Sequence, residues 1–281
     1  MSNVFQNQLI HAARRMRKVL SHPNHERDSM ASALRAFSGL SSAPGTVFDV
    51  GAALGTPDLY QAFPVSEFLL IEPLSEFHAE LTQVAEHLKS ARVVPFAVGS
   101  SPGTETFHVH PDLVGSSFHM EPEDDESVNG VGRRIEVKTL DMLATTFDLQ
   151  PPFFIKIDTQ GHESEVLKGA TEVLSETTGV VLELSLFNFF ADAPNFACVI
   201  QQMAEKGFVI YDVFDRQYRL LDGALGQFDA LFVPEQSNIR GSHRYASDEQ
   251  RRSQTARIRR TFRGTRLSNG PIAQKLVGDE A

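Results

Sequence analysis

The chain has little of what disulfide frameworks, zinc sites and membrane spans are built from. One of its 281 residues is cysteine, Cys198, so no internal disulfide can form and a reducing, cytoplasmic setting is expected. Its ten histidines lack the H-x-x-x-H spacing that places two ligands on one helix face, so we expect no structural zinc. No apolar run approaches the length of a membrane span, and the first residues lack the charged and apolar regions of a signal peptide.

Basic residues are scarce in the middle of the chain. Residues 44–235 contain ten Lys or Arg against thirty acidic residues, whereas both ends carry a small positive excess. We therefore expect an acidic core domain over 44–235, an N-terminal helical cap over 1–43 and a basic, flexible tail over 236–281, with a helix near 247–262. The N-terminal helix over 3–20 either covers the domain or binds a membrane surface or partner. The acidic core argues against binding nucleic acid through that surface, because neutralising phosphates requires Lys or Arg.

A regular alternation of strand-like and helix-like segments fills the middle of the chain. The strand-like runs lie at 47–50, 68–72, 92–98, 153–157, 180–185, 208–214 and 228–233, and helical patterns cover 28–37, 74–89, 164–174 and 196–206. The last two strands flank a loop that contains Asp222-Gly223, so we expect them to pair antiparallel. The predicted fold is α/β and Rossmann-like: a seven-stranded, mostly parallel sheet with one antiparallel edge strand and helices on both faces.

Two further runs break this alternation after the third strand. Residues 104–110 and 133–139 alternate in polarity, which predicts a small β insertion over about 104–139. The polar, acidic segment 111–132 between them is long for a loop inside a compact domain. We expect it to be either a lid over the site or a solvated loop.

The first strand leads into a glycine turn and carries an acid. Asp49, Gly51 and Gly55 form a D-x-G-x-x-x-G spacing. A dinucleotide site would place a pyrophosphate over this turn, usually with G-x-G-x-x-G spacing, and a nearby carboxylate would repel it. Asp49 therefore favours a ligand that carries an ammonium group and no phosphate, and S-adenosylmethionine is such a ligand. The glycines would let that ligand approach the backbone closely.

A second acid, Glu72, ends the apolar run of the second strand. In a doubly wound sheet an acid at this position can accept hydrogen bonds from both ribose hydroxyls. The glycine turn alone, or the acid alone, is equally compatible with a structural role. The two together, in one βαβ unit, favour a site for a nucleoside cofactor.

The fourth strand, over 153–157, is the most apolar, and candidate catalytic residues follow it. Asp158 follows it directly and His162 lies on the turn beyond. Ligands bind outside the carboxyl ends of strands in open α/β sheets, so both residues are candidate general bases. Glu183, near the end of the fifth strand, is expected on the acceptor side. Structural alternatives remain: Asp158 could cap the next helix, Lys156 could only pair with an acid, and His162 could point to solvent.

Several segments, in this order, resemble the FkbM-type class I S-adenosylmethionine-dependent methyltransferases. The resemblance covers roughly 46–233, and its most specific block is Lys156–Glu163. The segments are Asp49–Gly55, Glu72-Pro73, Ala97–Gly99, Ser116-Ser117, Thr139–Asp141, Lys156–Glu163 and Val166–Ala170. The chain departs from the family at Ala53, where Asn is common, and at Thr159-Gln160, where Val-Glu is frequent.

The resemblance implies O-methylation of a hydroxyl on a sugar, glycolipid or other secondary metabolite. It implies S-adenosyl-L-methionine as cofactor and a small-molecule or glycan acceptor as partner. The site residues expected with it are, for catalysis, Asp158, His162 and Lys156; for the cofactor, Asp49, Gly51, Ala53, Gly55, Glu72, Ala97, Ser117 and Asp158; and for the acceptor, Glu163 and Glu183.

Three alternatives stay open at this point. In a divalent-metal-assisted methyltransferase, Asp158, Glu163 and Glu183 would hold Mg²⁺ against the acceptor oxygen. A protein that binds S-adenosylmethionine without turnover would keep the same cofactor residues. A nicotinamide dehydrogenase fits poorly, because Asp49 is present and the middle glycine of its turn is missing.

Overall fold

The computed structural model describes residues 27–122 and 125–262. They belong to two compact units, one over 27–241 and one that includes the described residues from Ser242 onward. The strands of the first unit are β1 (Thr46–Val50), β2 (Glu67–Ile71), β3 (Ala91–Val94), β4 (Ala97–Val98), β5 (Gly103–Val109), β6 (Val131–Lys138), β7 (Phe153–Ile157), β8 (Thr177–Ser185), β9 (Phe208–Tyr218) and β10 (Leu225–Pro234).

The helices of this unit lie between the strands. They are α1 (Met30–Ser38), α2 (Pro57–Ala62), α3 (His78–His87), α4 (Glu126–Asn129), α5 (Leu140–Thr146), α6 (Glu163–Lys168), α7 (Thr171–Ser175) and α8 (Phe196–Glu205). Helix α9 (Asp248–Phe262) belongs to the second unit, at the position expected from the sequence. The helix predicted over 3–20 lies outside the described residues, and none of the described helices is both long and apolar enough to cross a membrane.

The main sheet has seven strands in the order β3-β2-β1-β7-β8-β10-β9. All pairs from β3 to β8 are parallel, and β10 runs antiparallel to both of its neighbours. The predicted fold class is confirmed, with one correction: the antiparallel strand is not the edge strand, because β9 lies outside it. The order reverses between β1 and β7, and in open α/β sheets such a switch point opens a crevice for a ligand.

Helices cover both faces of the sheet, as predicted. Apolar side chains of α1, α2 and α3 pack in one core cluster, and those of α5 to α8 pack in the other. The strands between them are buried on both faces, which explains why most residues of β1 and β7 are apolar. Helix α1 is anchored by Phe37, whose ring lies 5.5 Å from that of Phe154 in β7.

The predicted third strand, 92–98, is wrong as one element. It divides into β3, which pairs with β2, and β4, which pairs with β6 in a separate sheet of order β4-β6-β5. Pro95 lies at the break, and proline cannot donate the backbone hydrogen bond that a central strand requires. The predicted insertion is confirmed, since β5 and β6 form an antiparallel pair.

The helix predicted over 164–174 is also divided. Helix α6 ends at Lys168 with Gly169 as its C-cap, and α7 begins at Thr171. A Cβ at Gly169 would lie 2.1 Å from the carbonyl oxygen of Gly99, so this glycine permits a close approach of two backbones. The break therefore follows from packing between distant segments.

Candidate functional site

A cleft opens outside the carboxyl ends of β1, β2 and β7, at the switch point of the sheet. Its empty volume is about 640 Å³, part of it continuous with solvent. The predicted residues that line it are Gly51, Ala53, Glu72, Ala97 and Asp158. Its apolar wall was not predicted from the sequence and includes Leu74, Phe77, Phe96, Phe107 and Phe118. We call this space the donor cleft.

The turn after β1 forms one wall of the donor cleft. Gly51, Ala53 and Gly55 all have positive φ, at 73°, 43° and 96°. A Cβ on Gly51 would lie 1.9 Å from the carbonyl oxygen of Asp158. Glycine is therefore required here by the packing of two turns against each other, and not by room for a ligand, as the sequence suggested. Gly55 lines a second, more open groove that adjoins the cleft.

Asp49 is fully buried beneath this turn and does not line the donor cleft. One carboxylate oxygen accepts a hydrogen bond of 2.6 Å from the Tyr60 hydroxyl, and the other accepts one of 3.1 Å from Thr56. Burial, followed by the charge of Asp49, raises the pKa of the Tyr60 hydroxyl. Asp49 therefore fixes the shape of the turn, and its expected place at or around the ammonium group of the cofactor stays a prediction.

Glu72 follows β2 and points into the donor cleft. Its two oxygens accept backbone hydrogen bonds from Leu74 (2.8 Å) and Ala53 (2.9 Å). Burial raises the pKa of Glu72, an effect that these two donors oppose. Each carboxylate oxygen has a second lone pair, so the oriented side chain can still accept hydrogen bonds from a diol.

Lys156 and Asp158 connect the turns that follow β1 and β7. The Lys156 ammonium lies 3.2 Å from the Gly51 carbonyl oxygen, 3.4 Å from Asp158 and 3.6 Å from Asp49. The Asp158 side chain is 35% exposed, whereas that of Lys156 is buried. Gln160 donates a hydrogen bond of 2.9 Å to Asp158. A carboxylate held from two sides therefore faces the donor cleft.

Glu183 lies behind Gln160 and is surrounded by glutamines. Its carboxyl group accepts hydrogen bonds from Gln160 (3.1 Å), Gln217 (3.3 Å) and Gln227 (2.8 Å). Burial, with the charges of nearby acids, raises the pKa of Glu183 to about 9. Asp229, which pairs with Glu183 across β8 and β10, has its pKa raised to about 7, mainly by burial. Asp229 was not predicted as a site residue, although an acid within a largely apolar strand is a signal that the sequence contains.

His162 is not on the wall of the donor cleft. It is 6% exposed, and its ring lies 4.5 Å from that of Phe118. Neither ring nitrogen has a hydrogen-bond partner among the described residues. Burial, followed by the proximity of His119, lowers the pKa of His162 to about 4. The residue is therefore uncharged near neutral pH and enclosed by protein.

Two further predicted residues hold loops in place. Glu163 accepts hydrogen bonds from the backbone of Thr159 (3.0 Å) and Gly161 (3.1 Å), and burial raises its pKa. Ser117 donates a hydrogen bond of 2.7 Å to the carbonyl of Gln160 and does not line the cleft. Its neighbour Ser116 does line it. The segment after β5 thus contributes to the wall of the cleft, as the lid interpretation requires.

In the alternative of a divalent-metal-assisted methyltransferase, Asp158, Glu163 and Glu183 would together bind one Mg²⁺ ion. Within the described part of the chain, no group of three or more His, Cys, Asp or Glu side chains has the arrangement to hold a metal ion. Asp158 is bound to Lys156 and Gln160, and Glu163 to the backbone of its own turn. These side chains are thus occupied by hydrogen bonds and ion pairs within the protein.

A comparison with known families decides which ligand suits this cleft. Residues 49–210 match the family model described as the methyltransferase FkbM domain. The chain belongs to this family. Its members use S-adenosylmethionine, and the donor cleft offers groups of the kinds that this cofactor needs, namely apolar side chains and the carboxylates of Glu72 and Asp158. The FkbM family resemblance and the cofactor expected from the sequence are confirmed.

Related proteins are distant in sequence. The hexuronic acid methyltransferase AglP of Haloferax volcanii is 26% identical over 140 residues, which are 49% of this chain and 55% of AglP. The chain thus spans about half the length of this curated relative.

Among solved structures, the magnesium protoporphyrin IX methyltransferase ChlM of Synechocystis PCC 6803 with bound SAM is 13% identical. The match covers 83% of this chain and 85% of that one, with a TM-score of 0.42. M. jannaschii TYW2 in complex with AdoMet is 12% identical over 72% of this chain and 74% of that one, with a TM-score of 0.36.

Proposed function

We propose that this methyltransferase transfers the methyl group to a hydroxyl oxygen of a sugar, free or within a glycolipid, glycan or secondary metabolite. The observation that carries the proposal is the Asp158 carboxylate, partly exposed at the donor cleft and held there by Lys156 and Gln160. A positioned carboxylate can accept the proton that a hydroxyl loses during methylation. The family relative AglP, a hexuronic acid methyltransferase, supports a sugar acceptor.

The cofactor, when bound, supplies an electrophilic methyl group on a sulfonium. The protein's contribution is to position both partners and to receive the proton, because the displacement is in line. Glu72 would accept the hydrogen bonds of the ribose hydroxyls, and Leu74, Phe77 and Phe96 would pack on the adenine. When the methyl group passes from the sulfonium to the hydroxyl oxygen, Asp158 would accept the proton that the hydroxyl loses, and S-adenosylhomocysteine would be the second product.

Asp158 is a better candidate for the base than His162. The imidazole of His162 is enclosed, and its nitrogens are too buried to reach a hydroxyl group in the donor cleft without a rearrangement. Asp158 already lines that cleft. Lys156 keeps Asp158 and the turn after β1 together, so we assign it a positioning role. A cytoplasmic location, with which the exposed Cys198 agrees, stays a prediction.

Methyl transfer from labelled S-adenosylmethionine to a panel of sugars and uronic acids tests the proposal. We expect a labelled product whose methyl group is bonded to oxygen, as determined by NMR of the purified product. An acceptor with its hydroxyls already methylated is the control and should gain no label. Transfer to nitrogen or carbon, or cofactor binding without turnover on any hydroxylated acceptor, would contradict the proposal. Adding a metal chelator to the assay should leave the rate of methyl transfer unchanged.

A further inference from the structure

The turn between β9 and β10 carries two leucines that the rest of the protein leaves uncovered. Leu220 is fully exposed, and Leu221 is 82% exposed. Turns are usually built from Gly, Asn, Asp, Ser or Pro, whose backbone or side chains suit a tight reversal. Apolar side chains at the apex therefore serve neither the turn nor the core. We call these two residues the leucine tip.

We propose that the leucine tip inserts into the surface of a lipid bilayer and holds the donor cleft beside acceptors that the bilayer carries. The statement about acceptors rests on the proposed function, because it selects lipid-linked sugars from the class of hydroxyl acceptors. Insertion of the tip is independent of the reaction and is tested without it.

The turn that presents the leucine tip is held by three hydrogen bonds. The backbone N–H of Arg219 donates to the Ala224 carbonyl (2.8 Å), and that of Gly223 donates to the Arg219 carbonyl (2.9 Å). The backbone N–H of Ala224 donates to the Asp222 carboxylate (3.0 Å). Gly223 has a φ of 72°, which glycine adopts without strain. The apex is thus preformed, which lowers the entropic cost of binding.

The leucine tip belongs to a small apolar patch. Tyr218 at the end of β9, and Leu186 and Phe187 after β8, are also exposed. The backbone N–H of Leu186 donates to the Gly226 carbonyl (2.8 Å), and the Arg219 guanidinium lies 4.2 Å from the ring centre of Phe187. Leucines at the apex with tyrosine and arginine behind them suit a membrane interface, where aromatic rings and long basic side chains lie at the level of the headgroups.

The size and shape of the patch favour a bilayer over a protein partner. Its five apolar side chains are few beside the roughly 20–30 residues that each partner contributes to a stable protein interface. The leucines also stand on a protruding turn, so a protein would need a matching pocket to cover them. A fluid bilayer covers a protruding apolar group without such a pocket.

The patch lies at the same edge of the sheet as the donor cleft. β8 runs parallel to β7, and its last residue, Ser185, pairs with Gln227 near the start of β10. The turn therefore extends beyond the carboxyl ends of β7 and β8. β10 and β9 are two and three strands away from β7, which is about 10–15 Å at roughly 4.8 Å per strand. A tip seated in a bilayer would bring this edge of the sheet to the headgroups.

The charge of the domain separates this mode of binding from electrostatic attraction. Residues 44–235 contain thirty acidic residues against ten Lys or Arg, so anionic lipids would repel most of this surface. Burial of the leucines is a hydrophobic effect and is not screened by salt. We therefore expect binding to zwitterionic vesicles that persists at high salt, unlike binding through the basic segment 236–281.

A fluorophore at the apex tests insertion directly. The chain contains no tryptophan, so Leu220→Trp places a single indole in the leucine tip. With vesicles of phosphatidylcholine, we expect its emission to shift to shorter wavelength and brominated phosphatidylcholine to quench it. Val65→Trp is the matched control, because Val65 is exposed before β2, at the opposite edge of the sheet, and its emission should not change. Unchanged emission of the Leu220→Trp protein would overturn the proposal.

Cosedimentation of the full chain with the same vesicles measures the contribution of the leucines. The double variant Leu220→Ser with Leu221→Ser should bind about tenfold more weakly or less, since each leucine loses its transfer out of water. Leu40→Ser with Val65→Ser replaces two exposed apolar residues at the opposite edge of the sheet and should bind as the parent does. Both double variants should keep the parent's affinity for S-adenosylhomocysteine.

Three results of these measurements would contradict the proposal. The first is equal vesicle binding by the parent and the tip double variant, and the second is binding that high salt abolishes. The third is a dimer of the parent, detected by analytical ultracentrifugation without lipid, that the tip double variant loses. That result would assign the leucine tip to contact with a second copy of the chain.

The outcomes for the tip and for the proposed function can be separated. With a sugar acceptor offered free and as a glycolipid in phosphatidylcholine vesicles, the tip double variant should lose about tenfold in rate on the glycolipid, because the parent gains effective concentration at the surface. Its rate on the free sugar should equal that of the parent. Equal rates of the two proteins on both acceptors would overturn the inference and retain the function. Insertion of the tip without methyl transfer to any hydroxylated acceptor would do the opposite.

Discussion

Lys156 is a charged side chain in a strand that is buried on both faces, and its neighbours explain why β7 accepts it. A buried ammonium costs several kcal/mol unless it is paired and hydrogen-bonded. Burial acts to lower the pKa of Lys156, but the charges of Asp158, Asp49 and Asp229 raise it overall, so the side chain stays protonated. Because Asp49 is fully buried, Lys156 also neutralises a carboxylate that water cannot reach.

Gly51→Ala should both destabilise the protein and abolish binding of the donor. At a φ of 73° an L-residue is strained by about 1–2 kcal/mol, and its Cβ would in addition lie 1.9 Å from the Asp158 carbonyl oxygen. Gly223→Ala is the matched control, because Gly223 has a φ of 72° and open space around it. Thermal unfolding and calorimetry with S-adenosylhomocysteine measure both effects. Equal losses in the two variants would show that strain alone is responsible.

Asp158→Asn should lower turnover by about 10²-fold or more, because the amide cannot accept the hydroxyl proton. His162→Leu, which replaces an enclosed ring by an apolar side chain of similar volume, should keep turnover within a few-fold of the parent. The single-turnover rates at saturating donor, and the affinities for the donor, are compared between the parent and the two variants. A large loss of turnover in His162→Leu and a small one in Asp158→Asn would instead assign the role of base to His162.

At the scale of elements, β8 and β10 bring two acids together. Glu183 and Asp229 are direct cross-strand partners, a placement in which like charges are destabilising. The sheet accommodates them because burial, with the charge of Asp158, raises both pKa values, to about 9 and about 7. At neutral pH the pair therefore carries less than its full negative charge.

Asp229→Asn should change how stability depends on pH. The pKa of Asp229 is raised from 3.8 to about 7 in the folded protein, so the unfolded chain releases this proton first. The stability that the group contributes is complete below about pH 4 and is lost as pH rises through 7. The unfolding free energy of the variant, relative to the parent, should thus increase between pH 4 and 7 and level off above. Its upper limit is about 4 kcal/mol, at about 1.4 kcal/mol per pKa unit.

Urea denaturation of the parent and the variant at about pH 4.5, 6 and 8 measures this difference in unfolding free energy across the titration of Asp229. The exposed Asp222, on the loop between β9 and β10, provides the control variant Asp222→Asn. A difference between Asp229→Asn and the parent that is independent of pH would contradict the raised pKa.

Most strands could be predicted from the sequence because their signal is local. Four of the five residues of the run 153–157 are apolar, and burial on both faces of a parallel sheet favours such a run. The division of the third strand could also have been predicted, because Pro95 in the sequence indicates a break at that point. The break between α6 and α7 was not, because it depends on the approach of Gly169 to Gly99, which are distant in the chain.

The site was predictable mainly where its residues follow strand ends. Glu72 and Asp158 do so, and both line the donor cleft. The polar contacts around Glu183 come from Gln160, Gln217 and Gln227, which lie on a turn and two further strands. No spacing within the sequence relates these three residues. The same holds for the burial of His162, which depends on Phe118 from the segment after β5.

At the scale of the whole molecule, the apolar core and the donor cleft belong to one part of the chain. The buried apolar side chains of the described residues lie between Met30 and Val233. Ile239 packs, partly buried, against one of the two core clusters. Residues 27–241 form a compact unit by themselves. The domain start expected near 44 from the sequence would omit α1, which contributes Leu34 and Phe37 to the core.

We therefore expect the fragment 27–241 to fold and to bind S-adenosylhomocysteine with the affinity of the full chain. The fragment 46–241 is the matched comparison, because it keeps every strand but loses the buried face of α1. Loss of one large core side chain typically costs about 2–5 kcal/mol, so removing four buried residues should prevent stable folding. Circular dichroism, thermal unfolding and calorimetry distinguish the two fragments. If 27–241 failed to fold while the full chain bound the cofactor, residues beyond Gly241 or before Arg27 would have to stabilise the sheet.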